Sequence, residues 1–103
     1  MHQDLFNSLT SEGRNQLNQA RDFMQLLRPA EQKIINLAID GHDDQSIAAL
    51  THSSEHTIRR HIENIQSRTP EIFQKKLRFR RQLIPKLAPY VFLTASYLFQ
   101  END

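Results

Sequence analysis

Apolar side chains in this chain recur at helical rather than strand spacing. Between Asp4 and about Leu27, the residues Leu17, Ala20, Phe23, Met24 and Leu27 share one helical stripe. Leu5, Phe6 and Leu9 suggest an earlier turn on the same core, with Ser11, Glu12 and Gly13 as an interruption between the two. Pro29 then suits the first position of a new helix, where its missing N–H costs nothing, and Glu31 suits the positive end of that helix's dipole. Ile34, Ile35, Ala38 and Ile39 supply the buried face, and Gly41 supplies a left-handed stop.

The next pattern is shorter. Asp43 or Asp44 can accept from the amides of a first turn, Ile47, Ala48 and Leu50 form an apolar side, and the small Ala48 and Ala49 permit a second helix to approach. After Thr51, His52 and Ser53, Ser54 can cap a third helix whose Ile58, Ile62 and Ile65 point inward. That repeat turns His56, Arg60, Glu63, Asn64 and Ser67 outward, with Arg59 and His61 on the flanks. Thr69, Pro70 and Glu71 repeat the start logic, predicting a helix from about Pro70 to Ile84 with Ile72, Phe73, Leu77 and Leu83 or Ile84 inward. Pro85 and Pro89 interrupt the chain before the apolar stretch from Tyr90 to Phe99, which reads as a core or dimer helix and is too short for a membrane span.

The expectation is an all-α, compact helical domain in three segments. Residues 1–27 form an amphipathic N-terminal piece, 28–69 a helix-turn-helix unit, and 70–103 a basic and then apolar extension, all in one domain. A chain of 103 residues can build one core but not a separate sensory domain. The composition, 38% hydrophobic and 24% charged with two Gly and four Pro, suits a folded helical protein. The absence of cysteine excludes disulfides and thiolate metal sites, and the first residues lack the pattern of a signal peptide, so a cytosolic protein is expected.

Charge changes the picture through its placement. Residues 1–56 carry four basic side chains against eight acidic, whereas residues 57–103 carry nine against four, although the whole chain is only +1. Most of the positive charges lie between Arg59 and Arg81, so one face can suit a polyanion. An α-helix fits the major groove, and an arginine can place two donors on O6 and N7 of guanine. Arg59 and Arg60 meet that requirement, and Glu63 can accept from the amino group of cytosine. Ser54, His56 and Thr57 stand near the helix start, where phosphate is favoured. The competing reading makes Arg59 and Arg60 a solvated helix face.

Together these residues resemble the LuxR-type helix-turn-helix domain of bacterial transcription regulators. The resemblance rests on Leu27, Pro29 and Glu31, then Gly41, Ile47 and Ala48, then Ser54, Thr57, Ile58, Arg59, His61, Ile62 and Ile65. It covers about Leu27 to Arg68, under half of the chain. It implies a cytoplasmic bacterial regulator that reads duplex DNA in the major groove with the helix beginning near Ser54. Bases would be read by Arg59, Arg60 and Glu63, phosphates held by positions such as Thr57 and His61, and a homodimer formed through the C-terminal helices. The chain departs from the family at Arg28, where a hydroxyl cap is usual; at Thr51 and Ser53, where the turn usually buries apolar side chains; and at Asp43 and Asp44, where acids would face phosphates.

The link into the last helix also differs, and the predicted fourth helix carries Lys75, Lys76, Arg78, Arg80 and Arg81 on its other face. These residues fit either a rebuilt dimerisation and phosphate-contact element or a solvated amphipathic helix. The alternative for the whole chain is an interaction protein that uses this fold on another regulator, on polymerase or on a sensory subunit. The acidic Asp40, Asp43 and Asp44 and the apolar Tyr90 to Phe99 stretch motivate it. An enzyme is not expected, because no Gly-rich phosphate loop and no nucleophile with a base stand in the sequence. No cofactor is expected. His52, His56 and His61 lack the acid or Cys that would complete a metal site.

Overall fold

The computed structural model describes residues 10–101, and the protein is all-α. Helix α1 (Ser11–Leu26) begins at Thr10, whose hydroxyl oxygen accepts from the Gly13 N–H at 3.0 Å. Ser11 to Gly13 are therefore the first turn of α1 and not an interruption, because Thr10 supplies the cap that starts it. The turn expected at Leu5, Phe6 and Leu9 lies outside the described residues. Leu17, Ala20, Phe23 and Met24 are buried along α1, as their spacing predicts.

Helix α2 (Pro29–Ile39) starts at its proline. Arg28 has no side-chain acceptor to cap it, and Glu31 accepts from the Arg28 backbone N–H at 3.1 Å, the half of a capping box that a carboxylate makes alone. Gly41, at φ +99°, ends the helix in the left-handed region. His42 N–H donates to the Leu37 carbonyl and Gly41 N–H to the Ala38 carbonyl, which satisfies two otherwise open acceptors.

Helix α3 (Asp44–Leu50) is capped by Asp43, which accepts from the Ser46 N–H at 2.8 Å. Ile47 and Ala48 are buried, but Ala49 is exposed and Leu50 is 49% exposed, so only one side of this short helix meets the core. The turn into α4 (Glu55–Arg68) closes like the end of α2. Ser53 N–H donates to the Ala48 carbonyl at 2.8 Å, with His52 in the left-handed slot at φ 56°. Thr51 and Ser53 direct their hydroxyls to the Ile47 and Thr51 carbonyls, which satisfies polar groups within the turn.

The predicted helix from Pro70 to Ile84 is broken. Helix α5 covers only Pro70–Phe73, Gln74 turns left-handed at φ 65°, and the chain continues through a bend and an extended stretch to a π-turn at Phe79–Leu83. Thr69 does not cap α5 with its side chain. It is fully buried, donates to the Gln66 carbonyl at 2.7 Å and accepts from the Leu77 N–H at 2.9 Å. The Gln66 side-chain carbonyl accepts from the Phe79 N–H at 2.8 Å, so α4 itself satisfies the backbone of the irregular stretch.

Helix α6 (Ile84–Glu101) runs through Pro85 and Pro89, which the sequence suggested as interruptions. Pro85 lies in the first turn, where its missing N–H has no partner to lose, and Pro89 costs the helix one hydrogen bond. One core joins all three segments: Phe23 and Leu27, then Ile35, Ile47, Ile58 and Ile65, then Leu77, Leu83 and Leu87. Side chains also tie the elements. The end of α1 receives the Gln32 amide on the Met24 carbonyl at 2.8 Å and the Arg68 guanidinium on the Leu26 carbonyl at 2.8 Å.

Candidate nucleic-acid interface

Helix α4 presents the most ordered set of candidate residues, and its rotation is fixed from inside. Ile58, Ile62 and Ile65 are buried, which leaves His56, Arg60, Glu63, Asn64 and Ser67 exposed on the opposite face. The Ser54 hydroxyl caps the helix by accepting from the Thr57 N–H at 3.0 Å and also donates to the Thr57 hydroxyl at 3.0 Å. Ser54 and Thr57 thus hold each other at the helix start, and His56 stands beside them in solvent. Packing of α3 against α4 holds the turn between them in place.

The two arginines differ in what surrounds them. Arg60 is exposed and forms no ion pair among the described residues. Arg59 donates to the Glu55 carboxylate at 2.9 Å, and its Nε lies 4.0 Å from Asp44. Arg80, which the sequence placed on a fourth helix, folds back from the π-turn to the start of α3. Its Nη1 lies 2.7 Å from Asp44 Oδ1, its Nη2 donates to the His42 carbonyl at 3.1 Å, and its guanidinium sits 5.4 Å from the centre of the Phe79 ring. Asp44 therefore stands between two cations and is countered from within the chain.

Asp43, beside this set, has its carboxyl held below the ordinary value. The Ser46 backbone N–H is the main cause, followed by the Ser46 side chain, with smaller help from the charges of Arg80 and His42. On the other flank of α4, His61 is half-buried and lines a groove of about 320 Å³ with Lys33, Ile34, Leu50 and His52.

The remaining predicted phosphate contacts do not share a helical face. Lys75 lies on the bend with Gln74, Lys76 and Arg78 lie on the stretch that follows, and Arg80 and Arg81 lie on the π-turn; all five are exposed. The helix expected to align them is replaced by backbone that Thr69 and Gln66 hold open. Sequence reading also missed Gln66, Arg68 and Thr69 as ties that position α4, and Gln32 as the tie between α1 and α2, since their partners are backbone groups on other elements or across a break in the helix. Among the described residues, no three His, Asp or Glu side chains converge as a metal site, and no helix is long and apolar enough to cross a membrane. No protein-family model matches the chain, and neither a curated protein nor a solved structure matches it.

Proposed function

We propose that this protein is a sequence-specific duplex-DNA-binding regulator that inserts the N-terminal half of α4 into the major groove. Exposed Arg60, on a capped helix whose three isoleucines fix its outward face, is the observation that carries the reading. Arg60 takes the guanine-reading role and Glu63, one turn on, the cytosine-reading role. Arg59 is the weaker base reader of the pair, because binding DNA would require it to leave Glu55 and Asp44. Pairing of α6 with a second copy would supply the two-fold arrangement such readers use, and Phe92 on α6 is 58% exposed.

The test is duplex selection from a random pool, followed by titration of the selected site at two salt concentrations. Wild-type affinity should fall steeply with salt. The Arg60→Ala variant should lose about 1–3 kcal/mol on the selected site and discriminate less at one base pair. Equal weakening on every sequence would refute the base-reading role, and no binding at low salt would refute the function.

A second reading, that the fold serves as a protein-interaction module, is favoured by one observation. Asp43, Asp44 and Glu55 crowd the N-terminal ends of α3 and α4, and two of them engage Arg59 and Arg80. A stable protein complex without salt-dependent binding to duplex DNA would establish that reading instead.

A further inference from the structure

The two flanks of α4 carry opposite electrostatics. On the α3 side, Arg59 and Arg80 are engaged by Asp44 and Glu55, with Asp43 nearby. A furrow of about 600 Å³ runs on the α2 side, lined by Arg28, Glu31, His61, Asn64, Ser67 and Arg68. It shares Ala30 and His61 with the groove that reaches Lys33 and His52, so the two form a continuous surface along α2 and α4. Among the described residues, the only acid lining either part is Glu31, which is 6% exposed and accepts from the Arg28 backbone N–H. Arg28 and Lys33 are exposed and form no ion pair among the described residues. Arg68 also lines the furrow but is already engaged by the Leu26 carbonyl and Glu71.

We infer that this furrow is the track for one phosphate strand, with Arg28 and Lys33 as its principal cations and His61 and Asn64 as hydrogen-bond donors beside them. The inference rests on the DNA-binding reading of α4 and adds to it the side on which the backbone passes. A duplex seated on Arg60 has phosphates on both walls of its groove. The α2 wall offers Arg28 and Lys33, which form no ion pair among the described residues, whereas the α3 wall offers cations that must first leave carboxylates. Contacts of this kind fix orientation and add affinity without choosing sequence. Arg28 and Lys33 thus take the phosphate-holding role that the sequence offered, as one of two readings, for Lys75, Lys76, Arg78, Arg80 and Arg81.

The experiment uses the full chain and fluorescent duplexes of selected and random sequence, titrated across a salt series. Arg28→Gln and Lys33→Gln should each weaken binding to both duplexes equally. Each should also reduce the slope of log affinity against log salt by about 0.9, one counterion contact. Arg28→Lys should keep the wild-type slope, and Arg21→Gln, on α1 beside Asp22, should leave affinity and slope unchanged. Urea midpoints confirm that each variant is folded. If wild type binds while Arg28→Gln and Lys33→Gln keep its affinity and slope, the track is overturned and the role of Arg60 stands. If wild type binds no duplex at low salt, both fall. Binding to polyglutamate in place of DNA, lost in the same two variants, would overturn the phosphate assignment in favour of an acidic polypeptide.

Discussion

Single side chains here do work that their residue types alone would not assign. Thr69 has the sequence context of a helix cap, yet its hydroxyl is buried between the Gln66 carbonyl and the Leu77 N–H. Replacing it with the isosteric Val leaves that N–H without an acceptor. We expect Thr69→Val to lose about 1–3 kcal/mol in urea unfolding, while Thr69→Ser retains most of the stability. Arg59 and Arg60 are neighbours in sequence and alike in chemistry, but of the two only Arg59 is ion-paired among the described residues. The sequence offered both as base readers, with Arg60 on the outward face of the helix and Arg59 on its flank. Their difference depends partly on Asp44, which belongs to another helix.

Elements were legible where a local signal and a periodic one agreed. Helices α2, α3 and α4 start at Pro29, after Asp43 and after Ser54 because caps and apolar spacing mark the same boundaries. The stretch after Pro70 has helical apolar spacing too, but the left-handed Gln74 and the hydrogen bonds from Thr69 and Gln66 override it. Such contacts join residues of one element to the backbone of another and leave no period in the sequence. The outward face of α4 was likewise readable, whereas the pairing of Arg80 with Asp44 was not, since it needs the fold-back from the π-turn.

The start of α3 carries a pH prediction. The Asp43 carboxyl titrates below its ordinary 3.8, so its ionised form stabilises the folded state. That contribution is complete above the ordinary value and is lost as pH falls through the lowered folded value. The Asp43→Asn variant should therefore show a shallower acid decline of its urea midpoint than wild type, measured from about pH 5 downward. Identical slopes would show that Asp43 is not a source of the acid sensitivity.

The molecule as a whole depends on one core to which all three sequence segments contribute. Phe23 shows this: it is fully buried on α1 and its ring lies 5.6 Å from that of Phe73 on α5. Phe23→Ala should cost about 3–5 kcal/mol. Because the core is shared, helical signal and a probe near α6 should be lost in one transition, as calorimetry and circular dichroism can compare. Separate transitions would show that the extension folds as a unit of its own.

The π-turn at Phe79–Leu83 sets a phase between the ends of that extension. Its wide turn, closed by the Leu83 N–H on the Arg78 carbonyl at 2.9 Å, holds one residue more than an α-turn would. One residue is about 100° of helical rotation. Everything after it is therefore aimed differently relative to Arg80 than in an uninterrupted helix. The extra residue acts as an angular offset: it lets Arg80 reach back to α3 while Leu83 and Leu87 still point into the core. A one-residue deletion there would change the direction in which all of α6 presents itself while leaving almost every side chain chemically the same.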